Sequence, residues 1–505
     1  MLVLALAIMI LLFAPLNADS GWYLLGARRV LGGERLYVDL IEVNPPLIFW
    51  MFVPPAIISD YLPISDDVVV SLFVAALLLS SFFLALRVLA LPRGPGRIVK
   101  SCLVCAFLLS VVLLFLFGVG QREQICAILF FPYTVLAGRA ASRLETPRWL
   151  AIVVGIFAGA GVALKPFFLA PWLAVEFVVV AAQRQRFPFL RTASSVVLLI
   201  QCLYAAIVIV VTPAYLSRAI PLARATYWAY GIGGRALLSS RLVVVLLLWS
   251  LTALAIPLLL RVRRVQPLGQ VYAAASLGFL ISYVAQLKGF WYHPIPAQIF
   301  AVLAVVATGE TVWEALVSIK FGWRRVAATM SALAVLFAVI ACLAPAIQQF
   351  RSIRAVVTSR YPPLIARMAD TIREGAVGEP VYVFSTSVWP AFPIVNLAGA
   401  TWPYHYNCLW PLPALYRGIP GTEPHYRLPD EQGRLEKAFF DTIVSDLTTT
   451  PPRLLIVEHG TRMQAMRGQD FNFIRYFSGS AKFATLFGRY HRLGTIADWE
   501  FFERW

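Results

Sequence analysis

Residues 67–90 read DVVVSLFVAALLLSSFFLALRVLA, an apolar stretch whose charged residues are Asp67 at its start and Arg87 near its end. Because an α-helix rises about 1.5 Å per residue, about 20 apolar residues cross a hydrocarbon core of about 30 Å. Comparable blocks recur along the chain, and we predict spans at 1–17, 67–90, 101–119, 124–138, 149–164, 167–182, 193–212, 242–260, 268–286, 295–318 and 327–346. The sequence therefore predicts an α-helical polytopic membrane protein with about 11 transmembrane helices.

The composition supports a membrane protein. Of the 505 residues, 60% are hydrophobic and only 14% are charged, whereas a soluble domain carries about 25% charged residues. The net charge of +17 would suggest a nucleic-acid partner on a soluble protein. Here the basic residues lie between apolar blocks, so we expect no nucleic acid as a partner. The six cysteines show neither a disulfide framework nor the spacing of a metal site.

The basic residues also predict the orientation of the chain. Every second connector is short and basic, as cytoplasmic loops are. These connectors carry Arg87, Arg93, Arg97 and Lys100; Arg139, Arg143 and Arg148; Arg184, Arg186 and Arg191; Arg261, Arg263 and Arg264; and Lys320, Arg324 and Arg325. We therefore predict a multi-pass protein of the bacterial inner (plasma) membrane, with a cytoplasmic N-terminus and a periplasmic C-terminal tail.

Two domains are predicted. Residues 1–349 form a transmembrane domain, and its outer loop 18–66 contains interfacial helices, because 46–62 is apolar but broken by Pro54-Pro55. Residues 350–505 carry mixed charges, with strand-like segments at 381–385 (VYVFS) and 454–457 (LLIV) and a helical segment at 434–448. This tail predicts a C-terminal extracytoplasmic α/β domain.

The first outer loop carries the most specific motifs. It reads NADSGWY at 17–23, GERLYVD at 33–39 and EVNPPL at 42–47. An acid directly after the first span, a short helix, a G-x-x-x-Y-x-D segment and a PPL segment together resemble superfamily C glycosyltransferases. The similar families are the protein O-mannosyltransferases, the aminoarabinose transferases and the RgtA/B/C/D-like enzymes, which use sugars linked to a lipid phosphate. The resemblance covers about residues 1–350.

The resemblance implies that this loop supplies the catalytic acid. Asp19 matches the first acid of the Asp-Glu pair in the better-known families, but Ser20 replaces the second. Asp39 and Glu42 are therefore alternative or additional acids. We assign Asp19 and Asp39 to catalysis, and we assign Glu42 and Tyr37 to substrate binding.

Sugar transfer from a polyprenyl phosphate needs a base that takes a proton from the acceptor hydroxyl. It also needs cations that stabilise the phosphate as it leaves. Asp19 follows the first span directly, at the depth of the lipid headgroups, which suits a general base. The alternative is that Asp19 or Ser20 caps the N-terminus of the following helix.

Three later outer turns supply the other candidates. Gly120 to Glu123 offers Glu123 as a second catalytic acid, as superfamily C members often have, and Arg122 as a phosphate ligand. Ionisable residues at the membrane are candidates for function because burying them is costly. The turns after 149–164 and 268–286 add donor phosphate ligands Lys165, Lys288 and His293, and Tyr292 as a substrate contact. The alternatives are a structural Arg–Glu pair and interfacial anchoring by Lys and aromatic residues.

Two further groups of residues are candidates for function. Glu176 lies within an apolar block, where a structural hydrogen bond is favoured over catalysis. The tail holds an aromatic cluster of Trp389, Trp402, Tyr404, Tyr406 and Trp410. These rings suit either acceptor sugars or packing against the membrane part, and packing is slightly favoured.

The leading functional prediction is a membrane glycosyltransferase that moves a sugar from a polyprenyl-phosphate donor to a periplasmic glycan, lipid or protein. Membrane lipids are the surrounding partners. The alternatives are a transporter or flippase of lipid-linked sugars, and an O-antigen polymerase or ligase. No cofactor is certain, and the absence of a clear ligand set leaves a divalent metal open.

Overall fold

A computed structural model describes residues 1–183, 191–260, 267–318, 322–336, 338, 358–416 and 426–505. The α-helices in this part of the chain are α1 Leu2–Phe13, α2 Ala18–Leu31, α3 Leu47–Met51, α4 Val53–Tyr61, α5 Asp66–Ala90, α6 Arg97–Leu113, α7 Arg122–Ala141, α8 Arg148–Ala163, α9 Leu169–Gln183, α10 Thr192–Val211, α11 Ile220–Thr226, α12 Gly234–Leu238, α13 Arg241–Leu260, α14 Leu268–Gln286, α15 Ile295–Ser318, α16 at 323–336, α17 Pro363–Gly375, α18 Ala391–Ala398, α19 Leu412–Tyr416, α20 Arg434–Thr449, α21 Phe473–Phe477 and α22 Ala481–Phe487. The strands are β1 Val381–Phe384, β2 Leu454–Glu458, β3 Tyr490–Ile496 and β4 Trp499–Arg504.

The apolar blocks form helices close to the predicted bounds, as α5 and α15 illustrate. Within the described residues, 7 helices are long and apolar enough to cross a membrane, or up to 8 if the bent pair α1 and α2 is one span. Helices α6 and α8 have only 17 and 16 residues. The chain is an integral membrane protein, and the count of about 11 spans stays a prediction.

Some sequence predictions lie outside the described residues. They are Arg184, Arg186, Arg261, Arg263, Arg264 and Lys320 of the basic connectors, and residues 337 and 339–346 of the last predicted span.

One compact unit contains Met1–Pro15, Ser71–Ala206 and Ile232–Thr358. Helix α7 forms the centre of this unit, because 94% of the apolar segment of α7 is buried inside the protein. Aromatic rings fill this core, and Phe107 stacks on Phe131 with ring centroids 3.8 Å apart. Glycine allows close helix approach, since a Cβ on Gly278 would lie 2.3 Å from the Cα of Pro171. This packing holds the ends of the helices in fixed positions.

The second compact unit contains Leu16–Val70, Ile207–Gly231 and Ser359–Trp505. In its described residues, a four-stranded sheet has the order β1-β2-β4-β3. Strands β1 and β2 are parallel, and the other two pairs are antiparallel. Both parallel strands are almost fully buried, which is why their apolar segments were recognisable as strands. The predicted segments 381–385, 454–457 and 434–448 correspond to β1, β2 and α20.

The first outer loop belongs to this second unit. Helix α2 ends at Leu31, and Gly32 is its C-cap residue. The apolar segment at 46–62 forms two short helices, α3 and α4, with a break at Phe52. Residues 16–70 and 207–231 therefore cluster with the C-terminal residues, whereas the sequence assigned them to the transmembrane domain 1–349.

Candidate functional site

In the first unit, Glu123, Lys165 and His293 converge from three helix ends. Glu123 lies in the first turn of α7, Lys165 follows α8, and His293 precedes α15. The Nζ atom of Lys165 lies 2.9 Å from Oε1 of Glu123 and 3.3 Å from Nε2 of His293. All three are buried, with exposed fractions of 1% for Glu123, 8% for Lys165 and 5% for His293. The structure thus brings together three of the residues that the sequence proposed from separate turns.

The protonation of His293 follows from this arrangement. Burial, and then the neighbouring Lys165 ammonium, hold the pKa of His293 well below its ordinary value. The neutral ring accepts the Lys165 N–H at Nε2, so Nδ1 carries the proton. Nδ1 of His293 and Oε2 of Glu123 are buried without a hydrogen-bond partner among the described residues. Such groups are costly to leave unpaired, so they point to a polar ligand.

The charge of the cluster is predominantly positive. The strongest electrostatic neighbours of His293 are Lys165, Glu123, Arg122 and Lys288, which are three cations and one carboxylate. Burial, and then the Lys165 charge, lower the pKa of Lys288 to about 8. The N-terminus of α7 adds a partial positive charge. The cluster, which we call the cation cluster and define as Arg122, Glu123, Lys165, Lys288 and His293, is suited to an anionic ligand.

Aromatic rings fix the position of His293. Tyr292 contacts it edge-on with ring centroids 4.7 Å apart, and Phe290 does so at 5.3 Å. Tyr292 therefore has a direct structural contact at the cluster, and its substrate role stays a prediction. In the described part of the chain, no group of three or more His, Cys, Asp and Glu side chains is arranged to hold a metal ion.

In the second unit, Glu42 is held by neutral donors. Its Oε1 accepts from the backbone N–H groups of Val43 at 2.6 Å and Asn44 at 2.9 Å, and from the Asn44 side chain at 2.9 Å. Its Oε2 accepts from Nε1 of Trp22 at 2.5 Å and Nδ2 of Asn407 at 3.1 Å. The residue is 2% exposed. These five bonds give Glu42 a structural role that joins three segments of the unit, and its predicted substrate role is untested.

Asp19 and Asp39 differ in their surroundings. Asn17, not Asp19 or Ser20, caps helix α2, because its side chain accepts the Asp19 N–H at 3.0 Å. The capping alternative for Asp19 is therefore wrong, and the half-buried Asp19 lies in the first helical turn. Asp39 accepts a hydrogen bond from the backbone N–H of Arg35 at 2.8 Å. This bond is the main cause that lowers the pKa of Asp39. This contact is typical of a turn-forming residue.

Other predicted residues have structural contacts. Tyr37 is buried, and its hydroxyl donates to the Asn44 carbonyl at 2.6 Å within the same loop. Glu176 accepts a hydrogen bond from the Tyr133 hydroxyl at 2.6 Å and pairs with Arg191. The structural alternative for Glu176 is confirmed by these bonds.

The tail aromatics separate into two groups. Trp402, Tyr404, Tyr406 and Trp410 are buried and pack against other rings of the second unit. Their predicted packing against the membrane part stays a prediction. Trp389 instead remains 45% exposed. The sequence did not predict this division, nor the anchoring of Glu42 by Asn407, because both depend on tertiary contacts.

Comparison with known proteins shows which solved structures share this fold. No family model matches the chain, and no curated protein matches it in sequence. Among solved structures, ArnT from Cupriavidus metallidurans in the apo state superposes with a TM-score of 0.53 and 11% identity, covering 99% of this chain and 97% of that one. ArnT bound to undecaprenyl phosphate gives a TM-score of 0.51 and 12% identity, with the same coverage. The mycobacterial arabinofuranosyltransferase AftD has a TM-score of 0.46 and 14% identity, and 41% of its chain is covered.

The fold of the chain is therefore that of a polytopic membrane protein. More particularly, the chain shares the fold of ArnT over nearly its whole length. The resemblance indicated by the first outer loop is confirmed at the level of the fold.

Proposed function

We propose that the chain is a membrane glycosyltransferase that moves a sugar from a polyprenyl-phosphate donor to a periplasmic glycan, lipid or protein. The observation that carries this proposal is the cation cluster, in which the Lys165 ammonium contacts Glu123 and His293. Arg122 and Lys288 add two further cations that act electrostatically on His293. The shared fold with ArnT, one structure of which contains undecaprenyl phosphate, supports the same ligand class.

In the proposed reaction, the acceptor oxygen attacks the anomeric carbon while the bond from that carbon to the phosphate oxygen breaks. Polyprenyl phosphate leaves with the electron pair. Lys165, Arg122 and Lys288 stabilise its growing charge, and Nδ1–H of His293 donates a hydrogen bond to it. Glu123 positions Lys165 through their ion pair. Asp19 takes the proton of the acceptor hydroxyl as general base.

The position of the cation cluster favours an enzyme over the transporter alternative. Many transporters bind their substrate at discontinuous helices near the bilayer midplane. Here the charged groups stand at helix ends, with Arg122 beginning α7 and Lys165 following α8. We propose that these ends face the periplasm of a bacterial inner membrane, as the alternation of basic connectors predicts.

Donor binding tests the proposed function. We expect Lys165→Gln to weaken undecaprenyl phosphate binding by about 10- to 100-fold, because a charge-assisted bond to phosphate contributes about 1.5–3 kcal/mol. Binding would be measured by native mass spectrometry of the purified full chain. Lys100→Gln, at the beginning of α6, is the matched control and is expected to bind normally. Equal affinities of Lys165→Gln and the wild type would contradict the proposal.

Donor affinity is also expected to depend on pH through Lys288. Its pKa of about 8 means that the protonated, phosphate-binding form dominates below that pH and is lost above it. Affinity for undecaprenyl phosphate should therefore fall between about pH 7.5 and about pH 9.5. In Lys288→Arg the decline should be much smaller, because the guanidinium stays charged. Identical pH profiles of the two proteins would rule out Lys288 as a phosphate ligand.

A further inference from the structure

The parallel strands β1 and β2 of the second unit end beside each other in a polar edge. Ser385, Thr386 and Ser387 follow β1, and Glu458 is the last residue of β2. In parallel sheets the carboxyl ends of neighbouring strands meet at one edge, and ligands of α/β domains commonly bind there. None of the residues at this edge belongs to the cation cluster or to the candidate bases.

Hydrogen bonds order this edge. Oγ of Ser385 donates to Oε2 of Glu458 at 2.7 Å and accepts the Ser387 N–H at 2.9 Å. Oγ of Ser387 in turn accepts the Trp389 N–H at 3.2 Å. Burial, and the nearby Asp498, raise the pKa of Glu458 to about 7. A carboxyl group that is partly protonated near neutral pH can both donate and accept hydrogen bonds.

Trp389 stands at the end of this bonded segment with its indole exposed. Its exposed fraction of 45% contrasts with 2% for Trp402 and 4% for Trp410 in the same aromatic cluster. The Tyr230 hydroxyl donates to the Thr386 carbonyl at 2.5 Å, and Trp228 in the same short segment carries an indole that is 47% exposed. Exposed indoles beside ordered polar groups offer an apolar face and hydrogen bonds together.

We propose that this edge is a subsite for the sugar rings of a carbohydrate acceptor. The apolar C–H face of a pyranose or furanose ring stacks on the Trp389 indole and removes apolar surface from water. Its hydroxyl groups bond to Ser387 and Glu458. The acidic neighbours Glu458 and Asp498 disfavour an anionic lipid headgroup at the same place. The inference rests on the proposed function and narrows the acceptor to a glycan or a glycosylated lipid.

The subsite can be tested with an array of bacterial envelope oligosaccharides. The purified full chain, in nanodiscs, is applied to the array and its binding to each glycan is measured. We expect the wild type to bind at least one glycan and Trp389→Ala to bind it at least about tenfold more weakly, as loss of a stacking ring predicts. Trp389→Phe should keep part of the affinity. Trp505→Ala removes another exposed indole and should bind as the wild type does.

The outcome is distinguishable from failure of the proposed function, because undecaprenyl phosphate binding is measured on the same samples. Normal lipid-phosphate binding with no glycan bound by the wild type would overturn the subsite alone. Unchanged glycan binding by Trp389→Ala would overturn it as well. Glycan binding that depends on Trp389, without any binding of undecaprenyl phosphate, would support the subsite and contradict the proposed polyprenyl-phosphate donor.

Discussion

Replacing Asp19 with asparagine is expected to lower sugar transfer by about 10²- to 10⁴-fold, the usual contribution of a general base. Asparagine keeps the size of the side chain and its place in the first turn of α2, but it cannot take a proton from a hydroxyl. Transfer would be measured as label moved into the envelope fraction from polyprenyl phosphates carrying a pentose, a hexose or an amino sugar. Undecaprenyl phosphate binding should stay unchanged.

Two control variants separate catalysis from folding. Asn17→Ala removes the cap of α2 and is expected to cost about 1 kcal/mol of stability while leaving much of the transfer. Asp39→Asn should also retain transfer, because that side chain is engaged with Arg35. Near-normal turnover in Asp19→Asn would exclude Asp19 as the base. A large loss of transfer in Asp39→Asn alone would indicate that Asp39 is the base instead.

The helices and much of the cation cluster followed from the sequence. Apolar length is a local property, so the bounds of α5 and α15 agree with hydropathy within a residue. Glu123, Lys165 and His293 were predictable as candidates because each stands at the end of an apolar block. Their mutual contacts were not predictable, because the distances depend on how α7, α8 and α15 pack.

The second unit shows where sequence reasoning fails. Asp19 and Ser20 are plausible caps by residue type. The helix begins earlier, at Ala18, so Asn17 occupies the N-cap position. Strand β3 escaped prediction because Tyr490 is its only buried residue and the strand carries no apolar pattern. Trp389 and Trp402 have similar local sequences, Trp-Pro in both cases, and only the tertiary structure exposes one and buries the other.

Removal of the Glu42 carboxylate is expected to destabilise the second unit strongly. In Glu42→Ala, the Trp22 and Asn407 donors and two backbone N–H groups lose their acceptor inside the protein. Each buried donor left unsatisfied costs about 1–3 kcal/mol, so the total approaches the stability of a typical domain. Glu42→Gln should be milder, because Oε1 retains its acceptor role while the new amide N–H₂ opposes the Trp22 donor.

Thermal unfolding and hydrogen exchange of the full chain would measure this effect. We expect faster exchange at Val43 and Asn44, a lower Tm for Glu42→Gln and a larger decrease for Glu42→Ala. Asp39→Ala, which removes a half-buried carboxylate of the same loop, is the matched control and should lower the Tm only slightly. If Glu42→Ala instead kept the wild-type Tm and exchange rates but lost transfer, the carboxylate would act on substrate, because its five bonds would then contribute little to the fold.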